Sequence, residues 1–202
     1  TTEIYTLSLH DALPIYGYGA SAAGIGAQAL VEMPDGTILA SAGALRNEIH
    51  RFAADGLQTA DRAAAPLFIL DAPVIDMQVD AFGQLWAMSG DELLQLDPDS
   101  GRVVQRLRAP GDQPLTHALA IDPGTGEIYA SSGAGILVYD PAVGNPNQAW
   151  KSFSRQRVGD LAFAPDGRLW AVKRAGNEFA SAAAHASSEI ISFPMSGRDA
   201  GR

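Results

Sequence analysis

Two aspartates are the residues of this sequence whose type and placement could support chemistry. Asp76 lies in the segment VIDMQV and Asp160 lies in the segment VGDLAF, so each follows a valine by two residues and precedes an apolar residue. Carboxylate oxygens are the ligands that hard cations such as Ca²⁺ prefer. If both residues stand at the entrance of an inner β-strand, they predict a site for calcium or another divalent metal between them. The alternative, which the residue type favours, is that each aspartate caps a strand or a turn.

The other residues that commonly perform catalysis do not form a recognisable set. The sequence has no cysteine, which excludes disulfides, thiol nucleophiles and Cys-x-x-Cys zinc sites. No serine lies in a Gly-x-Ser-x-Gly motif, and the four histidines are scattered along the chain as His10, His50, His117 and His185. We therefore expect a non-catalytic protein without a cofactor, and we keep a metal-dependent enzyme as the alternative.

The elements that must position these residues follow from an internal repeat. The segment 74–101, VIDMQVDAFGQLWAMSGDELLQLDPDSG, contains three short apolar runs that are separated by turn residues, and the pattern recurs before and after it. A glycine closes the first turn of each copy, at intervals of 41 to 47 residues: Gly36, Gly83, Gly126 and Gly167. Such a period, with about four strands in each copy, is typical of a β-propeller blade. The predicted fold is all-β: a partial β-propeller of about four four-stranded antiparallel blades, as an open fragment of a larger propeller.

Each copy places a large apolar residue directly before an alanine in its second apolar run. The large residues are Leu39, Trp86, Tyr129 and Trp170. A large side chain beside a small one, repeated in every copy, is the pattern expected where neighbouring blades pack face to face. We therefore predict that Trp86 and Trp170 are structural residues of the core between blades. The alternative is an exposed aromatic platform for a ligand.

These motifs resemble a known group of repeats. The apolar inner strand, the Asp-x-x-Gly or Pro-Asp-Gly turn, the Leu-Trp-Ala run and the later Asp-Pro-x-x-Gly turn resemble NHL, streptogramin-lyase-like and two-component-regulator propellers over residues 28–197. They are also loosely similar to the repeats of gluconolactonases. This similarity implies a divalent metal on the central axis, and it makes a lactonase- or lyase-like enzyme the alternative function. The resemblance otherwise implies a bacterial sensor, surface or secreted protein outside the cytoplasm, which presents loops to a protein, a glycan or a small molecule.

The first fifteen residues do not fit the repeat. The segment 1–15, TTEIYTLSLHDALPI, resembles the codon-by-codon translation of a common sequencing adapter, which indicates an artefact of a metagenomic or similar assembly. We expect residues 16–27 to form a loop or the remnant of a preceding blade, and the natural N-terminus to lie elsewhere. The predicted blades then cover residues 28–70, 74–110, 116–154 and 158–202, and the remaining blades of the same propeller are expected partners.

Composition and charge limit the partners further. The formal net charge is −9, which makes nucleic acid an unsuitable partner because phosphate binding needs clustered Lys and Arg. There is no uninterrupted apolar run of about 18 residues, so the sequence predicts no membrane span. A hydrophobic share of 47% and a charged share of 18% are sufficient for a folded core.

Overall fold

A computed structural model of the protein describes residues 28–42, 47–52, 66–173 and 189–195. Across these ranges the chain forms fifteen β-strands, one 3-10 turn (Pro110–Asp112) and one short helix, α1 (Pro146–Ala149). The sequence also predicts a helical turn at 60–65 and an insertion at 175–188. These predictions, like those for the adapter-like segment and for the loop at 16–27, lie outside the described residues. The chain divides into two compact units, with the boundary between Val74 and Ile75.

The first unit contains one antiparallel sheet, which we call blade 1. Its strands follow one another in chain order: β1 (Leu30–Glu32), β2 (Ile38–Ser41), β3 (Glu48–Phe52) and β4 (Phe68–Ile69). The register pairs Ala40 of β2 with Leu30 on one side and with His50 on the other. All four residues of β2 are buried, as expected of a central strand that is rich in apolar residues.

The second unit contains three further antiparallel sheets, also in simple chain order. Blade 2 consists of β5 (Val74–Val79), β6 (Leu85–Ser89), β7 (Glu92–Leu96) and β8 (Val103–Arg108). Blade 3 consists of β9 (Leu115–Ile121), β10 (Ile128–Ser132), β11 (Gly135–Tyr139) and β12 (Trp150–Ser154). Blade 4 has three described strands, β13 (Val158–Phe163), β14 (Leu169–Lys173) and β15 (Glu189–Phe193). In each of these sheets, strands that follow one another in the chain pair with each other, which produces a meander.

Apolar side chains bury the faces of neighbouring blades against each other in the second unit. One core cluster combines Trp86, Met88 and Leu93 of blade 2 with residues of blade 3 that include Leu119 and Tyr139. A second cluster joins the opposite side of blade 3 to blade 4, with Tyr129, Ile136 and Val138 against Leu161 and Leu169. We call the side of each blade that contacts the following blade its front face. The alternation of side chains along each strand therefore gives blade 3 two buried faces.

The four glycines of the repeat lie in the first hairpin turn of each blade and share one backbone conformation. Their φ angles are 80° for Gly36, 77° for Gly83, 76° for Gly126 and 81° for Gly167. A Cβ atom on Gly36 or Gly126 would meet no other atom within 4 Å. The positive φ, which an L-residue rarely adopts, is therefore what selects glycine at these turns.

The segment 145–148, which its Pro and Asn content predicts to be a turn, continues into the single helical turn α1. Pro146 occupies the first helical position, where its missing N–H costs no hydrogen bond. The carbonyl of Asn145 accepts hydrogen bonds from the main-chain N–H groups of Gln148 and Ala149, at 2.9 and 3.1 Å. These two bonds explain why the turn winds into a helix.

Candidate functional site

The candidate site is carried by β5, β9 and β13, the innermost strands of blades 2, 3 and 4. Each lies at the edge of its sheet and pairs with one neighbour. The sequence places Asp76 and Asp160 at the entrance of such strands, but both are third residues, because the strands begin at Val74 and Val158. Those two valines are buried and extend the strands beyond the predicted start.

The carboxylate of Asp76 binds main-chain N–H groups of two different blades. Its Oδ1 atom accepts a hydrogen bond of 2.8 Å from the N–H of Met77, in the same strand. Its Oδ2 atom accepts one of 2.7 Å from the N–H of Leu119, in β9 of blade 3. A charged acceptor makes such bonds short and strong. Asp76 thereby connects the inner strands of blades 2 and 3.

Asp160 repeats half of this arrangement in blade 4. Its Oδ1 atom accepts a hydrogen bond of 2.8 Å from the N–H of Leu161, the next residue in β13. The residue is exposed, and its Oδ2 atom has no hydrogen-bond partner within the described part of the chain. The local bond is therefore common to both aspartates, whereas the bond between blades is formed by Asp76.

In blades 1 and 3, where alanine occupies the position of the aspartate, a serine of the second strand binds N–H groups of the inner strand, which the sequence reasoning missed. In blade 1 the hydroxyl of Ser41 accepts a hydrogen bond of 2.9 Å from the N–H of Ala29. In blade 3 the hydroxyl of Ser131 accepts bonds of 2.8 and 2.9 Å from His117 and Ala118. Both serines are completely buried in the second strand of their blade.

The sequence carries a signal for these serines. In every copy, an alanine follows the large residue of the second strand. The next residue is Ser41 or Ser131 in the copies whose inner strand carries Ala29 or Ala118. It is Met88 or Val172 in the two copies whose inner strand carries an aspartate at that position. Each blade thus carries one side-chain oxygen that accepts from its inner strand. The two aspartates and the two serines therefore have a similar structural role, since each binds main-chain N–H groups of an inner strand.

The residues around Asp76 do not fit a metal ion. The described residues contain no group of three or more His, Asp or Glu side chains that is placed to hold one. Both carboxylate oxygens of Asp76 already accept main-chain hydrogen bonds. Metal binding by Asp76 and Asp160 stays a prediction, and we derive no chemical step from it.

The two described histidines occupy separate blades. His117 lies in β9 of blade 3, where its main-chain N–H is held by Ser131. His50 lies in β3 of blade 1, and its Nε2 atom is 3.5 Å from a carboxylate oxygen of Glu48. His10 and His185 lie outside the described residues.

A shallow groove runs across the ends of the three inner strands. It has a volume of about 290 Å³ and is lined by Gln78, Ala120, Ile121, Pro123, Leu161, Ala162 and Phe163. None of these side chains is ionisable, and the amide of Gln78 is the polar side chain of the lining. The groove can accommodate an uncharged or weakly polar group, and its lining supplies no acidic or basic side chain and no charged metal ligand.

An exposed aromatic ring lies at the same end of blade 2. Phe82 occupies the hairpin turn that follows β5, and 85% of its surface is accessible to solvent. The turn is held by Asp80, whose Oδ1 atom accepts hydrogen bonds of 2.9 Å from the N–H groups of both Phe82 and Gln84. An exposed ring on a fixed turn is a candidate contact for a ligand.

The repeated large residues are not equally buried. Leu39, Trp86 and Tyr129 have exposed fractions of 0%, 2% and 3%, whereas that of Trp170 is 38%. The ring of Trp86 lies 6.2 Å from that of Tyr139 in blade 3, between centroids, and its Nε1 donates to Asp80. Trp86 thus lies in the core between blades, while Trp170 lies on a face that is partly open to solvent.

Glu92 and Tyr129 are two of the ionisable groups in the second unit that have shifted pKa values. The pKa of Glu92 is lowered, chiefly by its hydrogen bond with Arg108 and also by that with Arg106, against the opposing effect of burial. Burial raises the pKa of the Tyr129 hydroxyl, and the neighbouring carboxylate of Glu127 raises it further. Both groups stabilise blades and lie outside the lining of the groove.

No helix among the described residues has the length and apolar character needed to cross a lipid bilayer. No protein-family model matches the chain, and no curated protein matches it by sequence.

Solved structures match the chain by their folds. They include the extracellular domain of a hybrid two-component system from B. thetaiotaomicron, with 13% identity, a TM-score of 0.52 and coverage of 74% of this chain and 20% of that chain. They also include virginiamycin B lyase from Staphylococcus aureus, with 15% identity, a TM-score of 0.54 and coverage of 86% and 57%. A third is YCF48 bound to D1 peptide, with 18% identity, a TM-score of 0.54 and coverage of 75% and 48%.

The chain therefore spans between one fifth and somewhat over half of the length of these three structures. All three are β-propeller proteins, and the similarity, together with the four meander sheets, shows that this chain has the β-propeller fold.

Proposed function

We propose that this chain is a non-catalytic β-propeller scaffold that binds an extended segment of another protein at the groove across its inner strands. The observation that carries the proposal is the lining of that groove, which combines apolar side chains with one amide and has no ionisable residue. A hydrolytic or metal-dependent site needs acids, bases or charged ligands at this place. A peptide-binding groove needs apolar contacts and a few hydrogen bonds.

The inner strands add the hydrogen bonds that an extended peptide uses. Because β5, β9 and β13 each pair with one neighbouring strand, their other edges present main-chain groups other than the N–H groups of Met77, Leu119 and Leu161, which the two aspartates already bind. A peptide strand can pair with such an edge while its side chains enter shallow pockets. Phe82, at the same end of blade 2, supplies an aromatic contact of the type that often dominates binding energy. YCF48, one of the structural neighbours, has been solved with a peptide, which supports this ligand class.

The scaffold is proposed to act as part of a larger bacterial sensor, surface or secreted protein. The similarity to the extracellular domain of a two-component system supports a location outside the cytoplasm. Glycans and small molecules are the alternative ligands, and a lactonase- or lyase-like reaction with an axial metal is the alternative function.

The test is selection of binders from a displayed library of random peptides, followed by titration of the selected peptides. Ala162→Arg places a long charged side chain in the groove at an exposed position, and Ala142→Arg is the matched control in an exposed turn of blade 3. Phe82→Ser removes the exposed ring without opening a core. The proposal expects Ala162→Arg to abolish binding, Phe82→Ser to weaken it about tenfold or more, as for an aromatic hot spot, and Ala142→Arg to leave it unchanged.

Other outcomes would assign a different function. Binding to an oligosaccharide array without peptide binding would make the ligand a glycan. Stoichiometric binding of Ca²⁺ that is lost in both Asp76→Ala and Asp160→Ala would instead support the metal-dependent enzyme.

A further inference from the structure

The front faces of blades 2 and 3 show how far a following blade buries the side chains on this side of a blade. In blade 2 the front-face residues Trp86 and Leu93 have exposed fractions of 2% and 0%, because blade 3 packs on them. In blade 3 the corresponding residues, Tyr129 and Ile136, have exposed fractions of 3% and 0%, because blade 4 packs on them. Two consecutive junctions of the same kind are therefore present in the second unit.

The front face of blade 4 carries the same pattern without the cover. The strand register places Val172 opposite Ile190, as it places Met88 opposite Leu93 in blade 2. Trp170 is 38% exposed and Ile190 is 70% exposed. A large aromatic and a large aliphatic residue on one sheet face, both open to solvent, mark a surface that is suited to an apolar partner.

Asp160 lies on the same face, and its carboxylate calls for a hydrogen-bond donor on the partner that packs there. Asp160 pairs with Val172, so the row Asp160, Val172 and Ile190 crosses the three strands on one side of the sheet. Its Oδ1 atom is held by the N–H of Leu161, just as Oδ1 of Asp76 is held by Met77. In blade 2 the second oxygen then accepts the N–H of Leu119 from the inner strand of the following blade. The second oxygen of Asp160 has no hydrogen-bond partner among the described residues.

We infer that the front face of blade 4 binds a further blade of the same four-stranded repeat. Trp170, Val172 and Ile190 pack against the apolar face of that blade. A main-chain N–H of its innermost strand donates to Oδ2 of Asp160, as Leu119 donates to Asp76. The partner is thus a β-sheet that combines an apolar face with an inner-strand N–H group at the position of Leu119.

A second copy of this chain fits the face less well. Copies that met by the same face would be related by a two-fold axis and would bring two Asp160 carboxylates to self-complementary positions. Such an interface brings a like charge from each copy to the same patch, and it does not supply an inner-strand N–H at the position of Leu119. A further blade supplies both the apolar contact and the donor.

The experiment appends such a blade to the full chain. One fusion adds a second copy of residues 113–154, which is blade 3 with its Leu119 donor, after Arg202 through a Gly/Ser linker of about 12 residues, which spans roughly 20 Å. A second fusion adds a copy of residues 113–195, with Trp170→Phe in the copy, so that the appended blade 3 has a folded neighbour of its own. The readout is acrylamide quenching of tryptophan fluorescence. Each appended copy also carries Trp150→Phe, so that it adds no tryptophan. Because Trp86 and Trp150 of the parent chain are 2% and 9% exposed, Trp170 provides the quenchable signal.

The inference expects the quenching constant of Trp170 to fall several-fold in at least one fusion. Ile190→Glu should restore quenching, and Ile69→Glu, at a residue that is 60% exposed in blade 1, is its matched control. Asp160→Ala should restore it in part, whereas Asp166→Ala in the next turn should not. Unchanged quenching in both fusions overturns the inference. It is also overturned if the unfused chain forms a dimer in sedimentation experiments in which Trp170 becomes protected, because the occupant is then a second copy.

Discussion

The Oδ2 atom of Asp76 accepts a hydrogen bond of 2.7 Å from the main-chain N–H of Leu119, which joins the inner strand of blade 2 to the inner strand of blade 3. Asp76 was a candidate metal ligand on the basis of residue type and repeat position. Its other oxygen accepts a hydrogen bond from the N–H of Met77 in its own strand, so both carboxylate oxygens bind main-chain donors. Asp76 is therefore part of the framework that holds the inner strands of blades 2 and 3 together.

Asp76→Ala should lower the free energy of unfolding by about 2 to 3 kcal/mol, because it removes a charged acceptor and leaves the N–H of Leu119 without its partner. Asp160→Ala is the matched variant, since it removes the same local bond without a bond to another blade, and we expect a loss of about 1 kcal/mol or less. Urea denaturation followed by tryptophan fluorescence measures both. Equal losses would contradict the role of Asp76 between blades.

Replacement of each of the two repeated tryptophans by alanine should lower the free energy of unfolding by a different amount. Trp86→Ala removes a ring that packs against blade 3 with an exposed fraction of 2%, and it should lower the free energy of unfolding by about 3 to 5 kcal/mol. Trp170→Ala removes a ring that is 38% exposed and should cost less than about 1.5 kcal/mol, because less apolar area leaves water on folding. The measurement is again chemical denaturation of each variant. A loss of more than about 3 kcal/mol for Trp170→Ala would show that its face is covered.

The repeat made the architecture accessible from the sequence. The turn glycines and the large-residue and alanine pairs recur with the period of a blade, so the all-β propeller fold is predicted from pattern alone and is shown by the structure. The turn glycines Gly36, Gly83, Gly126 and Gly167 are an example, because each lies in the first hairpin turn of its blade with a positive φ.

The candidate site was harder to predict for a physical reason. Sequence position shows that Asp76 and Asp160 are equivalent, but it does not show which donors surround each carboxylate. The groove depends on three strands that are far apart in the chain, which the residues Gln78, Ile121 and Phe163 illustrate. Burial of the front face also depends on the neighbouring blade, so equivalent positions such as Trp86 and Trp170 differ.

Gly135 should be intolerant of any side chain. Its φ is +133°, and a Cβ atom there would lie 2.7 Å from the Cα of Arg155 and in still closer contact with the main-chain oxygen of Ser154. Gly135→Ala should therefore cost about 2 kcal/mol or more through backbone strain and overlap with β12. Gly144→Ala, where a Cβ atom meets nothing within 4 Å, is the control and should change stability by less than about 0.5 kcal/mol. A neutral Gly135→Ala would mean that β12 moves away at little cost.

The ion pairs of Glu92 predict a pH dependence. Its carboxylate lies 2.9 Å from Nε of Arg108 and 3.0 Å from a guanidinium nitrogen of Arg106, and its pKa is lowered from the ordinary value of 4.5. A carboxyl group with a lowered pKa contributes stability that is complete above the unfolded pKa and is lost as the pH falls through the folded pKa. Glu92→Gln should thus lower stability at pH 7 by about 0.5 to 1 kcal/mol, because both arginines remain partly exposed. The difference from the parent chain should disappear at pH values well below 4.5.

The control for this prediction is Glu32→Gln, at an exposed position of β1. Denaturation curves at several pH values and at low and high salt provide the measurement. A difference for Glu92→Gln that persists unchanged below the folded pKa would show that packing, and not charge, is responsible.

Ser131 should be the stabilising counterpart of Asp76 in blade 3. Its buried hydroxyl accepts from the N–H groups of His117 and Ala118 and lies 3.0 Å from the hydroxyl of Thr116. Ser131→Ala keeps nearly the same volume but leaves these groups without their acceptor, so we expect a loss of about 1 to 3 kcal/mol. Ser152→Ala, at an exposed position of β12 in the same blade, should change stability by less than about 0.5 kcal/mol. Hydrogen exchange of the His117 and Ala118 amides locates the effect, since both should exchange faster in Ser131→Ala alone. Unchanged exchange at these amides, even with lower stability, would show that the serine hydroxyl does not hold the inner strand.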